Sequence, residues 1–108
     1  MAVAFLLVLP VSAQADATAA QSIAGSGGRT VGAAKACGID PNELETATKH
    51  IFAAASQRAV SDFDRGTIHI IFADGYDVGM DDIKTGRSNC DEVRDALTKI
   101  ENETRGHN

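Results

Sequence analysis

Two cysteines, three histidines and a cluster of four aspartates are the side chains best equipped to do chemistry in this chain of 108 residues. Cys37 and Cys90 stand too far apart for a C-x-x-C redox pair, and nothing nearby completes a zinc set around them. No H-E-x-x-H pairing occurs, and His50, His69 and His107 are distant from one another in sequence. His50 falls on the polar side of its expected helix and His69 on an exposed strip, so both are expected to be solvated. Asp74, Asp77 and Asp81 would stack at three- and four-residue spacing on a helix, with Asp82 beside them, and stacked carboxylates can hold a hard cation. The alternating oxygen ligands and closing glutamate of a calcium loop are missing, so a solvated acidic edge is the expectation. Gly25-Ser26-Gly27-Gly28 lacks the Lys-Ser/Thr that completes a phosphate loop. Ser56, Ser61 and Ser88 have no G-x-S-x-G setting, and Asn102-Glu103-Thr104 is a bare glycosylation sequon. These residues suggest no catalytic site, metal or cofactor.

What the cysteines do depends on compartment, and the N-terminus speaks to that. Residues 2–11 read AVAFLLVLPV, followed by Ser12-Ala13-Gln14-Ala15 and Asp16. A bilayer span needs about twenty apolar residues, and this run is half that. It fits the apolar region of a secretory signal peptide over residues 1–15, with Ala13-x-Ala15 as the small-residue cleavage site. Pro10 and the lack of a charged face argue against a buried helix. In an oxidising compartment an even cysteine count reads as a disulfide, and Cys37–Cys90 is the single possible pairing. It would close a loop of about fifty residues, with roughly 4 kcal/mol of chain-entropy stabilisation. The remaining chain of about ninety residues suits one domain. A net charge of −5, with ten scattered Lys and Arg, offers no basic footprint for nucleic acid. No later run is long enough to span a membrane, so a soluble periplasmic or secreted product is expected.

The elements that must position these groups are helical. Residues 16–29, DATAAQSIAGSGGR, are small, polar and glycine-rich, and read as a flexible lead-in. A short helix is expected from about Arg29 or Thr30 to Cys37, stopped by Gly38, with Val31, Ala34 and Cys37 on one side. Asp40-Pro41-Asn42-Glu43 carries an N-cap, a proline at the first helical position and a carboxylate three residues after the cap. The helix it starts should reach about Ala59, with Leu44, Thr48, Ile51, Phe52, Ala55 and Ala59 on one face. Ser88 or Asn89 can cap a last helix in which Cys90, Val93, Leu97 and Ile100 recur at helical spacing. Between them, Ser61 to Gly86 admits two readings. As a hairpin, Ile68–Ala73 and Tyr76–Met80 flank an Asp74-Gly75 turn, but the pairing sets Phe72 against Asp77 and Ile68 against Asp81. As a helix, Phe63, Ile70, Ile71 and Val78 form one apolar side, and Ile68, Phe72, Gly75, Gly79 and Ile83 a second. The strip around Asp62, His69, Ala73, Asp77 and Met80 is left to water. The helix is favoured, as a central one packed on two neighbours, with Gly75 and Gly79 permitting close approach. The expected core is Leu44, Ile51, Phe52, Phe63, Ile70, Ile71, Phe72, Val93, Leu97 and Ile100. The expected fold is all-α: a bundle of three to four helices over residues 30–104, stapled by one disulfide, with a disordered tail at 105–108.

This layout resembles that of the acid-stress periplasmic chaperones of enteric bacteria in size and bridge span. Ala34-Lys35-Ala36 precedes Cys37 where that family carries an aromatic residue, and the resemblance assigns no site residues. The functional expectation is a non-enzymatic exported protein that acts by binding another protein. Alternatives are an acid-stress holdase, as the resemblance implies, and a secreted enzyme inhibitor or immunity protein. A small enzyme using Asp74 or Asp77 with His69 is the least favoured reading.

Overall fold

Four helices account for nearly all of residues 18–106, the part of the chain that the computed structural model describes; side chains are described through Glu103. They are α1 (Ala19–Ala36), α2 (Pro41–Arg58), α3 (Asp62–Lys84) and α4 (Cys90–Gly106), with no strand among the described residues. The expected signal segment 1–15 and His107 lie outside the described residues.

The first helix corrects the expected lead-in. Thr18 caps it: its side chain accepts from the Gln21 amide at 3.1 Å, and Gln21 Oε1 accepts from the Thr18 amide, a reciprocal capping box. Residues 19–29, read as flexible, are therefore helix, and the helical body begins eleven residues before Thr30. The glycines that argued for flexibility are buried at Gly27, Gly28 and Gly32 and serve as contact surface. The far boundary moves as well, because α4 continues through Gly106, into the expected tail.

Elsewhere local signals set the boundaries. Asp40 Oδ1 accepts from the Asn42 amide at 2.9 Å with Pro41 at the first helical position. Ser61 Oγ accepts from the Asp64 amide at 3.0 Å at the start of α3, and Asn89 Oδ1 from the Glu92 amide at 2.9 Å at the start of α4. Gly38 (φ 76°) and Gly86 (φ 77°) turn the chain out of α1 and α3 in the left-handed region that L side chains rarely adopt.

The bundle is organised around α1, which packs on all three other helices and most extensively on α3. One core cluster joins α1, α2 and α4 through Val31, Ala34, Leu44, Ala47, Ile51, Val93 and Leu97. A second joins α1, α2 and α3 through Ala20, Ala24, Ala55 and Ile68. Cys37 and Cys90 sit at disulfide distance, with Cα atoms 5.7 Å apart, and tie the end of α1 to the first turn of α4.

The α1–α3 contact depends on missing side chains. A Cβ at Gly28 or Gly32 would run into the carbonyl oxygens of Phe72 and Tyr76. One at Gly75 would lie 2.5 Å from the Gly25 carbonyl oxygen, and one at Gly79 would strike that of Arg29. The expected close approach at Gly75 and Gly79 is thus present, and its other half is the glycine row of α1.

The expected position of α3 at the centre is corrected. Its Ile68 side is covered by α1, while α2 touches it lightly and the opposite side has no neighbour among the described residues. Of the expected core, Leu44, Ile51, Val93 and Leu97 are buried; Phe52, Ile71, Phe72 and Ile100 are half-buried. Phe63 is 79 % exposed and Ile70 64 % exposed, so these two are not core at all. The inward position near the start of α3 belongs to Asp64, one residue on from Phe63.

Candidate functional site

The acidic cluster comes apart in three dimensions. Asp82 turns inward and is buried, holding Arg29 Nε at 2.5 Å and Arg87 Nε at 2.9 Å, while Asp81 pairs with Arg87 Nη2 at 2.6 Å. The Arg29 hydrogen bond, joined by that from Arg87, holds the Asp82 carboxyl below its usual range against the opposing effect of burial. In return the hydrogen bond that Arg29 donates to Asp82 raises Arg29, and those that Arg87 donates to Asp81 and Asp82 raise Arg87. The Asp82 carbonyl also accepts from the amides of Arg87 and Ser88 at 2.9 and 3.2 Å. This network fastens α3, α1 and the α3–α4 turn, and its cations already occupy the carboxylate oxygens that a metal would need. Asp74 and Asp77 remain exposed on the outside of α3. Among the described residues, no three His, Cys, Asp or Glu side chains gather closely enough to hold a metal ion.

Two further polar clusters are structural. Asp64, buried near the N-terminus of α3, accepts from the Thr18 hydroxyl at 2.8 Å and the Val60 amide at 3.1 Å. The helix N-terminus favours the negative charge there. Glu43, at the capping-box position of α2, does not reach back to Asp40. It takes a two-pronged contact from Arg94 of α4, at 3.2 and 2.5 Å. That contact lowers the Glu43 carboxyl, and it raises Arg94 in return.

The histidines fall in two places. His69 is exposed, as expected, with its ring stacked on Phe52 at 4.6 Å between centroids. His50 is half-buried in an open groove of about 680 Å³ between α1, α2 and the end of α4. The groove also exposes Ser26, Arg58 and Glu103 above a floor of Ile23, Ile51 and Ile100. Ser26, His50 and Glu103 are nucleophile, base and orienting types in one depression. No hydrogen bond joins any two of them; the Ser26 carbonyl accepts from the Thr30 hydroxyl at 3.1 Å. The linked geometry of an activated nucleophile is therefore not built. Ser61 is a helix cap, and the Ser88 amide donates to Asp82.

The feature left without a structural role is the outer face of α3. Among the described residues, the large apolar ones most exposed to solvent are Val60 (78 %), Phe63, Ile70 and Val78 (43 %), and all lie on α3 or in the turn leading to it. Phe63, Ile70 and Val78 recur at seven- and eight-residue steps, which places them along one line of the helix. Asp74 and Asp77 share that side, and neither is in an ion pair among the described residues. The α3 sequence showed two apolar sides; that one of them is uncovered shows only once the neighbours are placed. Comparison with known proteins finds no matching family model, no similar curated protein and no similar solved structure.

Proposed function

We propose that this chain is an exported, non-enzymatic protein that acts by binding another protein through the outer face of α3. The observation that carries the reading is the Phe63–Ile70–Val78 line, apolar at helical spacing and open to solvent on a helix whose other side is tightly packed. Large apolar surface gathered on one element is a common mark of an interaction site. α3 has two apolar sides, and among the described residues one of them is covered, by α1 with a lighter contact from α2.

Export is supported by the apolar run before Ala13-x-Ala15 and by the cysteine pair at disulfide distance. Among the described residues, no helix is long and apolar enough to cross a membrane.

The test is affinity capture of the mature protein's partner from periplasmic or secreted extract, run beside a Phe63→Ser/Ile70→Ser double variant. Both replaced residues are exposed, so the variant should keep its helical circular dichroism spectrum. A partner identified by mass spectrometry should be recovered with the parent and lost with the variant. Equal recovery with both proteins would refute this face as the binding site.

A further inference from the structure

Resting on the docking role of α3, we infer that its partner is a basic amphipathic helix: apolar residues against Phe63, Ile70 and Val78, and Lys or Arg against Asp74 and Asp77. Charge complementarity selects this occupant. Four acidic residues lie toward the outside of α3, and two are already neutralised: Asp62 by Arg65 at 2.9 Å and Asp81 by Arg87 at 2.6 Å. Among the described residues Asp74 and Asp77 have no such partner, and they sit between Ile70 and the end of the apolar line. The cations of α3, Arg65 and Lys84, stand toward its two ends, which leaves the middle of the face negative. A covering surface must therefore bring its own positive charge or leave two carboxylates unpaired at a drying interface, which is costly.

Other occupants fit less well. A second copy would present the same unpaired aspartates and a net charge of −5, so like charges would approach. A nucleic acid or an anionic lipid surface would be repelled by the same carboxylates. The reach of the face also suits a helix. Val60 to Val78 runs along most of the 23 residues of α3, which offers a partner helix packed alongside it apolar anchors about a turn or two apart.

The test uses two synthetic helical peptides with the same leucine face, one flanked by lysines and one by glutamates. Each is titrated into the isotopically labelled mature protein and followed by amide NMR shifts. The lysine peptide should bind and perturb residues 60–78. The glutamate peptide should bind at least about tenfold more weakly, and Asp74→Asn/Asp77→Asn should weaken the lysine peptide by about tenfold. Raising the salt should narrow the gap between the peptides. Phe63→Ser/Ile70→Ser should abolish binding of both.

Equal binding of the two peptides, lost in the Phe63→Ser/Ile70→Ser variant, would overturn the charge selection while leaving α3 as the docking face. Shifts confined to the groove around His50 would overturn both. If neither peptide binds, the basic-helix inference fails, and partner capture still decides the docking role separately. A concentration-dependent dimer in peptide-free protein, lost in Ile70→Ser, would make a second copy the occupant and overturn the inference.

Discussion

Replacing Gly75 by alanine tests whether α1 and α3 are held together by absent side chains. The added Cβ would sit 2.5 Å from the Gly25 carbonyl oxygen and 3.1 Å from the Arg29 amide nitrogen, both backbone atoms. Ordinary contact begins at 3.4 Å, so the helices must part by roughly 0.9 Å, enough to forfeit a quarter to a half of each contact across the seam. Overpacking of this kind costs about 1–3 kcal/mol, and a backbone obstacle belongs in the upper part of that range. Alanine returns about 0.8–1 kcal/mol of helix propensity. The net loss should be about 1–2 kcal/mol, or about 4–16 °C in Tm for a domain of this size. Gly66 supplies the control. It lies on the same helix with nothing within 4 Å of an added Cβ, so Gly66→Ala should gain about 0.5–1 kcal/mol. The assay is thermal unfolding followed by circular dichroism, with both variants beside the parent. If Gly75→Ala stabilises as much as Gly66→Ala, the seam is not close-packed and the account of α1 is wrong.

Cys90→Ala should lower stability by about 2–5 kcal/mol, and the unreduced parent should resist alkylation at both cysteines; two reactive thiols in native protein would contradict the bond. Ile68→Ala should cost about 2–5 kcal/mol because that side chain is buried against α1, whereas Phe63→Ser should stay within about 0.5 kcal/mol. Denaturant melts should show the reversed order if the wrong side of α3 has been assigned to the core. Stability should also fall in acid. Asp82 and Glu43 are depressed in the folded state, so their contribution is complete above the unfolded carboxyl values, about 4, and is lost as pH falls through the lower folded values. Protonating every carboxylate, with the histidines charged, adds self-repulsion by taking the formal charge from −5 to +13, the ten Lys and Arg plus three His. Urea melts between pH 7 and pH 2 should show the decline, with a smaller one in Asp82→Asn; a flat profile would contradict the pairing. Suppression of client aggregation over the same range tests the holdase alternative.

Elements specified by neighbouring residues were legible in the sequence. Asp40-Pro41 starts α2, Asn89 caps α4, and the pattern of Ser61 to Gly86 favoured the helix that forms over the Asp74-Gly75 hairpin. The cysteine pairing was legible because two cysteines allow one partner each. The start of α1 was not, because each glycine counts against a helix on its own and becomes favourable only where another backbone needs its space. The four-residue steps Gly28–Gly32 and Gly75–Gly79 carried that signal. Asp82 was read with its neighbours in sequence, whereas its partner Arg29 lies 53 residues away. Periodicity showed that α3 has two apolar sides, but it held no information about which of them α1 would cover.

The docking role of α3 is tested most directly by site-specific photo-crosslinking in the full chain expressed in cells. A photoreactive residue replaces Ile70 in one sample and exposed Ala53, on the groove side of α2, in another. A discrete adduct with a second protein should form from position 70 and not from position 53. Adducts of equal yield from both positions, or from position 53 alone, would contradict the docking role.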